Sequence, residues 1–282
     1  MQRRINMTKE QALQYAKYAA KKALDELEKQ RSVHFELTDD IPSVFESKIG
    51  GVPYFPSGAE IPVDSNGNPL RFLMQIKCSD IQGLDCFPKQ GMIQFWICAD
   101  DCWGMCDKRG FRVIYYDAIS DSTTTPQISA FTDMEKEFFP LKGEYGVAFL
   151  PTIEDAPKNS TEYEETFCKY FNEISGEAIK SPYDLKFKLN LPFDVLDEAV
   201  YNDNSAHGHK VGGFSDFCQY DPRETVEQQK RYDFQLLQMC SDFGRDSTKI
   251  MWGDAGICHF FINSEKLKNC DFRDVLYYCD CC

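Results

Sequence analysis

The stretch IMWGDAG at 250–256 sets an indole (Trp252) and a carboxylate (Asp254) on one Trp-Gly-Asp-x-Gly turn, just ahead of an apolar run. An aromatic plane beside a carboxylate and bare glycine backbone suits a small-ligand cleft. The same residues also suit a tight turn whose Trp packs inward and whose Asp caps backbone amides. His259 follows in GICHFFI (256–262), where a ring nitrogen interrupts an apolar segment. Two side-chain amides interrupt similar segments: Gln75 in RFLMQI and Gln94 in GMIQFWI. Buried amides and imidazoles need hydrogen-bond partners, supplied by a ligand or by the chain itself. Gln75, Gln94, Trp252, Asp254 and His259 are therefore the expected ligand-binding residues, and none of them is expected to be catalytic.

Other polar groups permit weaker readings. CADDCWGMC spaces Cys98, Cys102 and Cys106 four residues apart, and the chain closes on Cys279, Cys281 and Cys282. Six thiols could hold zinc or an iron–sulfur cluster, but the paired C-x-x-C spacing that marks such sites is missing. Small buried thiols are the plainer expectation. His207 and His209 form an H-x-H pair that could join His259 at a metal. His259, however, stands where the other half of the chain has Gln94, which points to hydrogen bonding rather than ligation. A Cys218–His259 nucleophile pair has no neighbouring sequence signal. No metal and no cofactor are expected.

The sequence has no phosphate-binding glycine loop, no H-E-x-x-H and no G-x-S-x-G elbow, so it names no reaction. A net charge of −14 disfavours nucleic acid and anionic membranes and favours a basic protein as partner. No apolar run approaches the roughly 20 residues of a membrane-spanning helix. The opening MQRRINMTKEQALQYAKYAAKK lacks an apolar signal region. With an odd count of thirteen cysteines, these features predict reduced thiols in a cytoplasm.

What must position these groups is written twice. KIGG (48–51), RFLMQI (71–76), GMIQFWI (91–97) and RVIYYD (112–117) recur in order as KVGG (210–213), FQLLQM (234–239), GICHFFI (256–262) and DVLYYCD (274–280). The offsets stay between 162 and 165. Short aliphatic and aromatic blocks bounded by turn residues read as strands. The expected fold is therefore α+β, predominantly antiparallel β, with an internal duplication into two pseudo-symmetric halves, roughly 34–120 and 196–282, plus an N-terminal helix. The glycine pairs point to positive φ or a bulge. Thr8 and Gln11 form a capping box for a helix over 8–30. A second helix is expected at 161–175, capped by Thr161 and Glu164, with Phe167, Tyr170, Phe171 and Ile174 on one face and Gly176 at its end. GEYGVAFLP (143–151) reads as a strand, YDPRETVEQQKRYD as a short helical connection, SEKLKN (264–269) as one or two helical turns, and SDSTTTPQ (120–127) as a loop. The expected organisation is a docking helix at 1–33, one half at 34–150, and a connecting helix with the other half at 151–282, in a single compact unit.

KIGGVPYFP, NPLRFLMQI, GMIQFWI, HKVGGFSDFCQYDPR, LLQM, IMWGDAGICHFFI and DFRDVLYYCDCC, taken in order, resemble the YwqG-like family of bacterial proteins, a domain of unknown function. The likeness runs from about 34 to 282. It implies an α+β fold rich in antiparallel strands and no established catalysis. The family's similarity to proteins of bacterial toxin–immunity neighbourhoods implies an interaction protein, an immunity-type partner of a basic toxin. The alternative is a small-ligand-binding protein or enzyme with its site in the cleft between the two halves.

Overall fold

The structure is a computed structural model and describes residues 7–121, 138–189, 196–197, 200–201, 206–244 and 247–281. Most of the expected loop at 120–127 and Cys282 lie outside the described residues. The chain forms two compact units, Met1–Gln30 with Ile153–His207, and Arg31–Thr152 with Gly208–Cys282.

The first unit is helical. α1 (Lys9–Glu26) starts at the capping box read from sequence: Gln11 N–H donates to Thr8 Oγ1 at 3.2 Å, and Thr8 N–H donates to Gln11 Oε1 at 3.0 Å. Its buried face is almost all alanine, Ala12, Ala16, Ala19, Ala20 and Ala23. Small side chains at helical spacing let a second helix approach closely, and α2 (Thr161–Ser175) packs there. The α2 cap is Ser160, one residue earlier than expected, and Gly176 ends the helix at φ 70°. Its inward face carries Tyr163, Phe167, Cys168 and Phe171, whereas Ile174 is exposed. The expected apolar stripe is thus shifted toward the N-terminus. α3 (Tyr183–Leu189) adds Leu185 to this core.

The second unit is a ten-stranded, mostly antiparallel sheet curled into a nearly closed barrel. Its strands are β1 (Gln30–Thr38), β2 (Lys48–Gly50), β3 (Arg71–Lys77), β4 (Met92–Ile97), β5 (Phe111–Tyr116), β6 (Glu144–Glu154), β7 (Lys210–Gly212), β8 (Phe234–Cys240), β9 (Ile257–Ile262) and β10 (Val275–Asp280). The order β10-β9-β8-β7-β1-β6-β2-β3-β4-β5 reads as two four-stranded meanders flanking β1 and β6. Each sequence block is a strand of matching length. Lys48 faces Gln75 and Gln75 faces Gln94 in one meander. Lys210 faces Gln238 and Gln238 faces His259 in the other. Register irregularities fall at Phe72/Met74 and at Gln235/Leu237.

The strands are apolar runs because both of their faces are covered. Ile93, Phe95 and Ile97 point into the barrel core with Cys258, Phe260 and Ile262. On the outer face Trp96 packs with Phe72, Leu70 and Cys98. Across the barrel, Phe95 meets Phe260 at 5.0 Å and Phe111 meets Tyr277 at 5.2 Å between ring centroids, which draws the two ends of the sheet together.

The repeated glycine pair is a double left-handed step. Gly50 and Gly51 have φ 66° and 68°; Gly212 and Gly213 have 71° and 73°. A side chain costs about 1–2 kcal/mol in that conformation. A Cβ on Gly51 would also fall 2.1 Å from Glu144 Cδ, and Glu144 is the ion-pair partner of the buried Lys48. Any shift of the Glu144 carboxylate to make room disturbs its pairing with Lys48. Gly67 has φ 85° with nothing within 4 Å of its added Cβ. In urea denaturation, Gly67→Ala should show the conformational loss alone, and Gly51→Ala a further loss on the order of 1 kcal/mol from the disturbed ion pair. Equal losses would mean that the Lys48–Glu144 pair is not what the glycine protects.

Candidate functional site

Cross-strand partners share one face of a sheet, so each meander carries a ladder on its outer face. The first runs Lys48, Gln75, Gln94, Ile114; the second runs Lys210, Gln238, His259, Tyr278. Lys48, Gln75, Gln94, Lys210, Gln238 and His259 are all buried.

In the first ladder the chain supplies every partner. Gln75 Oε1 accepts from Tyr54 N–H at 2.7 Å and from Gln94 Nε2 at 3.2 Å. Gln75 Nε2 donates to the carbonyls of Val44 and Glu46. Gln94 Nε2 donates to the Tyr54 carbonyl at 2.5 Å, and Trp96 Nε1 donates to Gln94 Oε1 at 3.2 Å. Lys48 Nζ bonds the Pro42 carbonyl at 3.2 Å and pairs with Glu144. Gln75 and Gln94, expected to bind ligand, thus meet each other and hold the covering segment around Tyr54.

The second ladder repeats part of this. Asp216 N–H donates to Gln238 Oε1 at 2.9 Å, and Gln238 Nε2 donates to the Gly208 carbonyl at 2.9 Å. His259 sits against Phe217, with ring centroids 4.4 Å apart, and is stacked on Phe261. Its Nδ1 lies 3.4 Å from Gln235 Nε2, and its Nε2 is buried without a hydrogen-bond partner. In the first meander Trp96 supplies a ring N–H to the equivalent position; Phe261 stands in its place here and has none. Asp280 Oδ1 is likewise unpartnered, and burial raises the Asp280 pKa.

The turn at 250–256 divides its two residues. Trp252 is fully buried in the barrel core, edge-on to Trp103 at 5.9 Å, with its Nε1 unpartnered. Asp254 is exposed. The two cysteine segments adjoin, since Cys279 N–H points at Met105 Sδ at 3.3 Å. Burial nevertheless pushes Cys98 up to about 11 and Cys102 up to about 12, against thiolate character. Among the described residues, the one trio of metal-competent side chains with ligand atoms within 4.8 Å of each other is Asp100, Asp101 and Cys102, and Asp100 Oδ1 already accepts two backbone N–H groups. His209 stacks on Phe35 and its Nδ1 accepts from Cys240 N–H, away from any such trio.

A concave site lies elsewhere. A cleft of about 750 Å³ runs where β5 approaches the turn leading into β10, lined by Lys108, 111–115 and 269–275. Tyr115 and Phe272, with ring centroids 5.2 Å apart, form an aromatic patch in it. Arg273 is paired with Asp271 at 2.7 Å, and Asp274 with Lys266 and Arg231. Lys108 and Arg112 have no ion-pair partner among the described residues. None of the five expected residues lines this cleft. Sequence reading missed Lys108 and Arg112, and the available signal was only the run of cations in KRGFR (108–112) at the start of a strand block in an acidic chain.

The buried His259 has a measurable consequence. Burial, reinforced by the positive charges of Arg223 and Lys210, holds its pKa well below the ordinary histidine range. The unfolded chain takes up that proton near pH 6.5, but the folded chain does not. Stability is therefore intact above about pH 6.5 and falls as the pH drops below it. The urea midpoint of the wild type should fall from pH 7 to pH 5 by more than that of His259→Gln, which carries the other meander's residue. Parallel curves would mean that His259 takes up its proton without cost in the folded chain.

The sequence profile of a family described as "Domain of unknown function (DUF1963)" matches residues 47–281. Among curated proteins, none matches the chain.

Proposed function

The chain belongs to the DUF1963 family, and from that premise we propose that its two meanders are copies of one duplicated unit and that the cleft at their seam binds an anionic ligand. The family description carries no activity, so the reading rests on the chain's own geometry. Support for the duplication is the paired hydrogen bonding: Tyr54 N–H to Gln75 matches Asp216 N–H to Gln238, and Glu46 O to Gln75 matches Gly208 O to Gln238. Support for binding is one observation. A cleft of about 750 Å³ places Lys108 and Arg112, unpaired among the described residues, beside an aromatic patch. Ligand pockets commonly have this size and this mix of ring surface with a few convergent polar groups. The cleft lies between the two halves, since 108–115 close one meander and 269–275 lead into the last strand of the other. A cytoplasmic setting agrees with an odd count of thirteen cysteines, several of them buried as small apolar side chains.

Citrate and pyrophosphate should raise the melting temperature of the wild type, and added salt should weaken the effect. Asp254→Ala should respond as the wild type does, and Lys108→Ala combined with Arg112→Ala should not respond. A double variant that keeps the full response would place the anion site elsewhere.

A second reading has its own observation, the net charge of −14. An acidic surface steers a basic protein into fast, salt-sensitive association. This is the immunity-type partner role. It predicts a basic polypeptide that co-purifies from host lysate and is released by salt. Weak, salt-insensitive binding to every basic candidate would remove its physical basis. No helix among the described residues is long and apolar enough to cross a membrane.

A further inference from the structure

The seam cleft has a second property besides charge: one wall of it is a strand edge. Among the described residues β5 pairs on one side only, with β4, from Ile97↔Phe111 to Met92↔Tyr116. It ends the sheet order, as β10 does at the other end. In an antiparallel strand, alternate residues turn their N–H and C=O away from the single neighbour. Among the described residues β5 therefore presents an unfilled ladder toward the cleft, a ready template for another chain. Five consecutive β5 residues, Phe111 to Tyr115, line the cleft, so it follows the edge instead of crossing it.

The side chains along that edge alternate. Phe111, Val113 and Tyr115 pack with the barrel core. Arg112 faces the other way, opposite Trp96 on the outer face, and Lys108 lies just before the strand. Both cations lack an ion-pair partner among the described residues. An occupant of this groove is thus offered a backbone ladder along its length, cations on its outer side and rings on its inner side.

Resting on the seam-cleft reading above, we propose that the ligand is an extended polypeptide segment of alternating acidic and apolar residues, added as a further strand against β5. Its amides and carbonyls fill the open ladder. Its carboxylates meet Lys108 and Arg112, and its apolar side chains meet Tyr115 and Phe272. Main-chain pairing gives such a complex affinity, and alternate side chains give it selectivity. A small anion would engage the two cations and leave the ladder unused.

The test is fluorescence anisotropy of a labelled octapeptide of alternating Asp and Val with the full chain, with citrate as a parallel ligand. Binding should weaken as salt rises. N-methylation of every second amide on the pairing edge of the peptide should weaken binding by roughly tenfold or more, and methylation of the other set should not. Arg112→Glu should cause a similar loss. So should Lys108→Glu, which lies outside the strand and keeps the test independent of β5 folding. Peptide binding indifferent to which amides are methylated overturns strand addition. Citrate binding without peptide binding overturns it too, and leaves the anion-binding reading standing. Binding of neither removes both readings. Self-association of the chain that Arg112→Glu abolishes, without peptide binding, assigns the edge to a second copy and overturns the peptide.

Discussion

The barrel depends on how buried backbone is satisfied where a covering segment crosses the outside of a strand. β3 and β4 are buried on both faces. The segment around Tyr54 that seals them carries its own N–H and C=O groups into a dry layer. An unpaired group there costs a few kcal/mol, so each needs a partner. Gln75 and Gln94 supply them from the sheet itself: one amide accepts from Tyr54 N–H, the other donates to Tyr54 O, and the two bond each other. A carboxylate could accept but not donate, and an aliphatic residue could do neither. The glycine pair belongs to the same constraint. Its double left-handed step follows Lys48, whose ammonium is held by Glu144 and the Pro42 carbonyl beneath the same segment.

The second meander solves the same problem less completely. Gln238 holds Asp216 N–H and Gly208 O as Gln75 holds Tyr54 N–H and Glu46 O. Replacing Gln94 by His259 and Trp96 by Phe261 removes one acceptor and its donor together and leaves imidazole Nε2 bare. Stacking takes over what hydrogen bonding gives up. His259, Phe217 and Phe261 form a cluster of three rings in mutual contact, and the Arg223 guanidinium sits 3.9 Å above the Phe261 ring, itself held by Asp221. The unpaired nitrogen is a cost of the same kind, offset in part by ring packing and larger still if the ring were protonated.

Those substitutions explain which parts of the molecule were legible in the sequence. The strand blocks, their order and the Gln94/His259 correspondence could be read because each rests on local pattern: apolar runs, turn residues and a fixed offset. The α1 capping box could be read for the same reason, its two partners being three residues apart. The α2 cap could not be separated from its neighbour, because Ser160 and Thr161 are equally good acceptors in sequence and only the backbone decides. Trp252 and Asp254 share a turn that was expected to present both. The chain buries Trp252, as the tight-turn reading has it, and exposes Asp254, and spacing alone does not choose between that reading and a cleft. A cleft between the halves is an expectation of the repeat, but the residues that line it are the furthest from view. The cleft exists only because the ends of the sheet, about 160 residues apart in sequence, meet across Phe111 and Tyr277. That β5 is an edge strand follows from the whole topology and not from FRVIYY.

Net charge and local charge need not agree, and here they lead to different partners. Fourteen excess negative charges over 282 residues set the far field. In salt that field fades over about 8 Å, which is less than the length of a six-residue strand at roughly 3.3 Å per residue. A ligand already inside the seam therefore responds mainly to the groups lining it. Asp271 is spent on Arg273, and Asp274 on Lys266 and Arg231, leaving Lys108 and Arg112. An acidic surface slows the approach of any anionic ligand, whereas two cations without ion-pair partners among the described residues favour it once it is inside the cleft. A basic partner meets the reverse, attracted from a distance and repelled at the seam. The two readings thus rest on different scales of one charge distribution, the basic partner on the far field and the anion on the lining of the cleft.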